Sequence, residues 1–143
     1  MTIDEILRTK GRDVVTIAPS RSVLDATRLL VEKNIGSLVV TEEGHPVGIF
    51  TERDILRLAS RDPTALHSVM VGAVMTRDMV TASPSDGLSE MMNVMTHRKI
   101  RHLPVLADGA LVGIISIGDL VNACRLSAEA ENSHLRQYIQ GVV

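Results

Sequence analysis

The sequence predicts a mixed α/β (α+β) fold built from two similar units that pack together about a pseudo-twofold axis. Residues 12–55 match residues 77–120 at a constant offset of 65, without a gap and with identical residues at 14 positions. Each unit also shows the same succession of short apolar runs, helical spacing and glycine turns, which predicts the order β-α-β-β-α. Because neither unit is large enough to bury a core alone, we expect the two to pack against each other.

Each unit is predicted to begin with a short strand and a helix. The helix opens at Ser22 in unit one and at Gly87 in unit two, with an acidic residue three positions later. Asn34 and Lys99 are expected to end these helices, and asparagine suits the left-handed conformation found there. The first strands are predicted at Val14–Ile17 and Met79–Ala82.

A hairpin and a second helix complete each unit. The turns "EEGHP" and "ADGA" place a glycine where positive φ is needed. The second helix begins at Thr51 in unit one and at Ser116 in unit two. The hairpin strands are predicted at Leu38–Val40, Val47–Phe50, Leu103–Leu106 and Val112–Ile115.

Helices are expected on both flanks of the pair. "IDEIL" predicts a short N-terminal helix, and Ser127–Gln140 predicts a terminal helix that opens with a serine cap and ends at Gly141. The predicted boundaries are 8–60 for unit one, 61–72 for the linker, 73–124 for unit two and 125–143 for the C-terminal helix.

Composition narrows the function classes. The net charge of −2 argues against a general nucleic-acid binder, and one Phe, one Tyr and no Trp leave no aromatic platform for bases. Any base bound here must therefore contact aliphatic side chains and backbone. The single cysteine, Cys124, lies in an apolar helical pattern typical of a buried thiol. Since no signal peptide or membrane-spanning run is found, we expect a cytoplasmic protein without a membrane partner.

Motifs for catalysis and for metal binding are absent from the sequence. There is no G-x-S-x-G, P-loop, G-x-G-x-x-G or H-E-x-x-H motif. The five histidines show no metal-ligand spacing with cysteine. We therefore predict no enzymatic activity, no catalytic cofactor and no metal.

The two strand-to-helix junctions are the candidate sites. "GIFTERD" and "GIISIGD" both place a hydroxyl three residues before an aspartate, at Thr51 and Asp54 and again at Ser116 and Asp119. As single occurrences these are ordinary helix caps. Their recurrence at one position of a duplicated unit favours a site as well, because a helix N-terminus offers free N–H groups to a phosphate.

A second polar patch lies in "HRKIRHLPV", before the middle strand of unit two. Lys99 is interpreted as part of a solvated face, whereas Arg101 and His102 are better placed to face a cleft. Unit one has Gly36 and Ser37 at the equivalent positions, and these two are included among the candidate ligand-binding residues. The units are thus expected to share a scaffold but not a charge pattern.

Taken together, these motifs resemble a tandem pair of CBS domains, the Bateman module, over roughly residues 8 to 124. The resemblance rests on the ordered set that ends in "GIFTERDIL" and "GIISIGDLV", present twice. It implies a regulatory module that binds adenosine-containing ligands such as AMP, ADP, ATP, NAD or S-adenosylmethionine between the repeats. It further implies a homodimer and a regulated partner protein, which the sequence does not name.

The resemblance also assigns roles to residues. Asp54 and Asp119 would accept the ribose hydroxyls, and Thr51 and Ser116 would contact ribose or phosphate. Arg53, Arg101 and His102 would neutralise phosphate. The adenine pocket would be lined by Thr16, Ile17, Ala18, Thr81 and Ala82.

The two junctions differ, and three functions stay open. Unit two has Ile117 and Gly118 where unit one has Glu52 and Arg53, so we expect the Thr51–Asp54 junction to be the stronger phosphate site. The first alternative to a nucleotide sensor is a structural or interaction module whose clefts are empty. The second is an unrecognised nucleotide hydrolase, which no catalytic group in the sequence supports.

Overall fold

The computed structural model describes the backbone of residues 1–139 and the side chains of residues 1–128. The predicted order β-α-β-β-α is confirmed in unit one and, apart from the first strand, in unit two; the predicted N-terminal helix is present, and a short helix precedes unit two. The first half contains α1 (Ile3–Lys10), β1 (Thr16–Ile17), α2 (Val23–Lys33), β2 (Ser37–Glu42), β3 (His45–Thr51) and α3 (Glu52–Arg61). The second half contains a 3₁₀ turn (Pro63–His67), α4 (Val71–Val74), α5 (Leu88–Arg98), β4 (His102–Ala107), β5 (Ala110–Ser116) and α6 (Ile117–Ile139).

The two sheets differ at their first strand. In unit one, β1 runs parallel to β2, which pairs antiparallel with β3. In unit two, β4 and β5 form a hairpin, and the predicted strand Met79–Ala82 is wrong, because only Ala82 forms a bridge, to Val105. Pro104 explains the difference. At its equivalent in unit one, Val39 N donates to Val15 O at 3.3 Å, and proline has no N–H for such a bond.

Local signals correctly predicted the caps and turns. The Ser22 hydroxyl accepts from Asp25 N at 3.0 Å, and α2 ends at Asn34 in the left-handed region, φ 53°. Lys99 ends α5 in the same way, with φ 54°. Both hairpin turns put a non-glycine residue and then a glycine at positive φ, namely Glu43-Gly44 and Asp108-Gly109. Two successive residues at positive φ match the twist of the strands they join.

The predicted start of a separate helix at Ser127 is wrong. Helix α6 is continuous from Ile117 to Ile139, and Ser127 lies within it. No glycine or proline occurs between Asp119 and Ile139, so nothing in the sequence interrupts the helix after unit two. The predicted end at Gly141 lies outside the described residues.

Each unit is completed by the segment that precedes the other unit. Helix α1 buries Ile3 and Leu7 in the core of unit two, whereas Val71 and Met75 are buried in the core of unit one. Glycines permit the two crossings. A Cβ on Gly48 would lie 2.6 Å from Met75 Sδ, and one on Gly113 would lie 2.7 Å from Leu7 Cδ2. With β3 also in contact with β5, the two units are interlocked.

Candidate functional site

Both strand-to-helix junctions form the predicted caps. Thr51 N donates to Asp54 Oδ2 at 2.8 Å, and Ser116 N donates to Asp119 Oδ2 at 2.8 Å. Asp119 N in turn donates to the Ser116 hydroxyl at 3.2 Å. Each aspartate is therefore held at the N-terminus of its helix, where the dipole favours a negative charge. In each junction the other carboxylate oxygen, Oδ1, remains for further partners.

The first junction opens into a cavity of about 640 Å³, here called cleft one. Unit one contributes the end of β3 and the start of α3, and unit two contributes the segment before α5 and the end of that helix. The lining residues are Gly36, Ile49, Thr51, Glu52, Arg53, Asp54, Leu56, Arg57, Thr76, Asp78, Met79, Val80, Arg98, Lys99, Ile100, Arg101 and His102.

The second junction opens into a smaller cavity of about 360 Å³, here called cleft two. The offset of 65 relates most of its lining to that of cleft one, so that Asp13, Val15, Ile35 and Ser116 correspond to Asp78, Val80, Ile100 and Thr51. The two clefts are therefore pseudo-twofold copies. Cleft two is lined by Lys10, Asp13, Val14, Val15, Asn34, Ile35, Gly36, Ser37, His102, Ile114, Ser116 and Asp119.

The charge of the two clefts differs in sign. Five basic and three acidic side chains line cleft one, whereas one basic and two acidic side chains line cleft two. Within residues 1–128, Arg53, Lys99 and Arg101 form no ion pair. These three cations are therefore available to an anionic ligand in cleft one. Cleft two contains only one cation among its described lining residues, and that cation is already paired.

Asp54 is a nearly buried carboxylate without a close counter-ion. It is 5% exposed, and the nearest cation, Arg57 Nη1, lies 4.0 Å from its Oδ1. Desolvation raises the pKa of Asp54, against the opposing effects of the Thr51 hydrogen bonds and the Arg57 charge. Donor groups from a ligand would relieve this desolvation.

Asp119 is instead neutralised from within the chain. Lys10 Nζ lies 2.6 Å from Asp119 Oδ2 and also donates to Ile114 O at 2.6 Å. Desolvation acts to raise the pKa of Asp119, but the Lys10 hydrogen bond and charge and the Ser116 bonds together lower it. Lys10 belongs to α1, so the N-terminal helix supplies the counter-ion of the second unit.

His102 lies in the wall between the clefts and lines both. A Cβ on Gly36 would lie 3.3 Å from the His102 ring, so glycine leaves the space that the imidazole fills. Desolvation lowers the pKa of His102, while Glu52 and Asp119 raise it and Lys10 and Arg101 lower it further. The lowered pKa keeps His102 neutral at pH 7, and its ring borders both clefts.

Most of the predicted site residues meet in the two clefts. Cleft one unites Gly36, Thr51, Arg53, Asp54, Arg101 and His102. Cleft two unites Gly36, Ser37, His102, Ser116 and Asp119.

The predicted adenine-pocket residues lie elsewhere. Thr16, Ile17 and Ala18 line a separate cavity with Arg21 and Arg28. Thr81 is exposed and lines neither cleft. Ala82 is 2% exposed in the core of unit two.

Several residues that line the two clefts were not predicted from the sequence. Val15, Val80 and Asp78 precede the predicted adenine positions by a few residues, and their identity or similarity between the units was the signal that marked them. Lys99 lines cleft one, although its side chain was interpreted as part of a solvated face. Lys10 gave no signal, because it lies before the repeated segment and 109 residues from its partner.

The described residues contain no group of three or more His, Cys, Asp or Glu side chains placed to hold a metal ion. None of the helices examined there combines the length and the apolar character that crossing a membrane requires.

Comparison with known proteins identifies the architecture. The family model "CBS domain" matches residues 3–61 and 71–126. The mitochondrial CBS domain-containing protein CBSX3 of Arabidopsis thaliana is 34% identical, over 98% of this chain and 72% of its own length. The crystal structure of the CBS-domain protein ATU1752 from Agrobacterium tumefaciens matches with a TM-score of 0.84 and 39% identity, over 86% of this chain and 98% of that one.

Two further solved structures contain ligands. CBSX2, crystallised in complex with AMP, matches with a TM-score of 0.73 and 32% identity, over 89% of this chain and 98% of that one. The CBS domain pair of MJ0100, crystallised with 5′-methylthioadenosine and S-adenosyl-L-methionine, matches with a TM-score of 0.78 and 25% identity over the same shares. With two matched copies covering most of its length, the chain belongs to the CBS-domain family.

Proposed function

We propose that this chain is a regulatory module that binds an adenosine-containing nucleotide, such as AMP, ADP, ATP or NAD, in cleft one and thereby modulates a partner protein. One observation carries the proposal. The nearly buried Asp54 carboxylate of unit one faces, across a cleft of about 640 Å³, the unpaired cations Lys99 and Arg101 of unit two. A ribose with an attached phosphate needs both groups, an acceptor for its hydroxyls and cations for its charge.

The remaining lining suits a base without aromatic stacking. Ile49, Val80 and Ile100 are partly buried at the cleft and supply aliphatic contacts to a ring. Thr51, at the start of α3, adds a hydroxyl and the positive end of the helix dipole. In this proposal the cleft joins the two units through one ligand, so binding changes how tightly they are held. The AMP bound by CBSX2 and the adenosyl compounds bound by MJ0100 support this ligand class.

The proposal includes a homodimer and no catalysis. Leu56 and Val121 are equivalent residues, on α3 and α6, and both are exposed, at 69% and 53%. A pair of exposed apolar residues repeated by the pseudo-twofold axis fits a second copy of the chain or a partner. A cytoplasmic location stays a prediction.

Thermal unfolding with a nucleotide panel tests the proposal. AMP, ADP, ATP, NAD and adenosine, with UMP as control, are each added at several concentrations to the purified chain. At least one adenine compound is expected to raise the midpoint in a concentration-dependent way, since a ligand that binds only the folded state stabilises it. A panel without any shift, together with no binding by calorimetry, would contradict a nucleotide sensor.

A structural module with empty clefts is the second candidate. It is favoured by the same exposed Leu56 and Val121, and by the fact that Thr51 and Asp54 already complete a helix cap without a ligand. Replacing Val121 by Glu separates the two functions, because Val121 is exposed and lines neither cleft. If the module only assembles, the variant loses self-association and there is no nucleotide response to preserve; a sensor keeps its nucleotide response in the monomer.

A further inference from the structure

We propose that Lys10 acts as a built-in occupant of cleft two, which closes that cleft to ribose and limits the chain to one adenosine-containing ligand. The proposal rests on the function proposed above and adds a residue that determines the number of sites. It is carried by the ion pair between Lys10 and Asp119, which no feature of the repeated motif requires.

The ammonium group of Lys10 lies directly against the carboxylate of Asp119. Lys10 Nζ is 2.6 Å from Asp119 Oδ2, the oxygen that also accepts from Ser116 N at 2.8 Å. It also donates to Ile114 O at 2.6 Å. The side chains of the pair are only 32% and 24% exposed, so the charges are partly removed from water. Lys10 neutralises the Asp119 carboxylate beside its remaining oxygen, Oδ1, so a ribose that uses both oxygens would have to displace this charged donor.

Cleft one has no such cation at its aspartate. In cleft one, the residue that crosses the strand is Met75 over Gly48, which corresponds to Leu7 over Gly113, and no counterpart of Lys10 brings a charge to Asp54. Asp54 therefore keeps a vacant acceptor, and its nearest cation is 4.0 Å away. The two aspartates accept from the backbone in the same way, so the presence of Lys10 beside Asp119 is what distinguishes the closed carboxylate from the open one.

The substitution Lys10→Met removes the charge and keeps an unbranched side chain of similar length. Adenosine is the suitable probe, because cleft two has no unpaired cation for a phosphate among its described lining residues. Asp54→Asn is added to silence cleft one, so that any calorimetric binding in the double variant reports on cleft two. We expect Lys10→Met/Asp54→Asn to bind one adenosine per chain, about 10- to 100-fold more tightly than Asp54→Asn alone, the usual worth of one charge-assisted hydrogen bond. A third change, Asp119→Asn, is expected to abolish this binding.

Two controls accompany the double variant. Arg8→Met, made in the chain that keeps Asp54, removes a cation from the same helix, at an exposed pair with Asp4 outside the cleft, and is expected to leave the stoichiometry at one. Lys10→Arg keeps the charge and is expected to keep cleft two closed. Lys10→Ala serves as a second opening variant should Lys10→Met fail to fold.

The outcomes separate this inference from the proposed function. If wild type binds one adenosine and neither opening variant gains a site, the inference is overturned and the proposed function stands. If wild type binds none but the opened variants bind one, the inference holds and the proposed function in cleft one is overturned. A wild type that already binds two, or variants and wild type that all bind none, overturns the inference.

Discussion

Cleft one and cleft two have the same backbone and different electrostatics. Each has an aspartate that caps a helix from the third position and that accepts from the backbone N–H of its hydroxyl residue at 2.8 Å. In cleft one the aspartate is nearly buried and lacks a close cation, and basic residues of the other unit line the opposite side of the cavity. In cleft two the aspartate is paired with Lys10 from outside the repeated segment.

The difference teaches how a duplicated unit acquires two roles. The cap must be kept in both copies because the helix needs it in both. The residues around the cap are free to change, since an exposed Arg101 or a glycine at position 36 has little effect on the helix start. Under the proposed function, one copy therefore holds a ligand site while the other holds the ion pair between Lys10 and Asp119.

The largest expected effect concerns nucleotide binding. Asp54→Asn should weaken AMP about 10- to 100-fold, because it removes the charged acceptor of the ribose hydroxyls. Asp119→Asn should change the AMP affinity less than about twofold, since cleft two is closed already. Calorimetric titration of both variants measures this, and equal losses would show that the clefts are not functionally different.

A smaller effect of opposite sign is expected on stability. Asp119→Asn should lower the free energy of unfolding at pH 7 by about 1 kcal/mol through loss of the Lys10 pair. The folded-state pKa of Asp119 is lowered, so its contribution is present above pH 3.8 and is lost as the pH falls through the folded-state pKa. Asp54→Asn should be neutral or stabilising at pH 7, because burial raises the pKa of Asp54 and that contribution is lost as the pH rises through it.

Urea unfolding at pH 7 and at pH 3 tests both signs. The cost of Asp119→Asn should be smaller at pH 3 than at pH 7, because below pH 3.8 the unfolded chain takes up the proton before the folded chain does. A control is Asp4→Asn, which breaks exposed pairs on α1 and leaves both clefts unchanged. If Asp54→Asn were the more destabilising variant at pH 7, the proposed contrast between an open and a paired carboxylate would be wrong.

The smallest expected effect involves His102. Its folded-state pKa lies below 6.5 through desolvation, so the unfolded chain binds the proton more readily. The stabilising effect of the neutral imidazole is complete above pH 6.5 and declines as the pH falls toward the folded-state pKa. His102→Gln should flatten the pH dependence of stability in this range, and His45→Gln, at the exposed start of β3, is the control. If the pH dependence of stability were the same in His102→Gln as in the wild type, His102 would not be the group that titrates in this range.

Part of the site was predictable and part was not. Thr51, Asp54, Ser116 and Asp119 follow from a local capping pattern and its repetition, so each needs only a few neighbouring residues to be located. The predicted adenine positions Thr16 and Ala82 fall outside the clefts, which Val15 and Val80 line instead. A shift of a single residue along a strand, as from Val15 to Thr16, turns the side chain to the opposite face.

The sequence by itself determined the duplication, the order of elements, the helix caps and the hairpin turns. These features depend on the periodicity of apolar residues and on neighbours within four residues, and both can be identified from the sequence alone. Only the tertiary structure decided that α1 completes unit two, that Pro104 leaves the first strand of that unit as a single bridge, and that Lys10 meets Asp119. A contact across 109 residues leaves no periodic trace in one sequence, because its geometry arises from how the two units interlock and not from local preference.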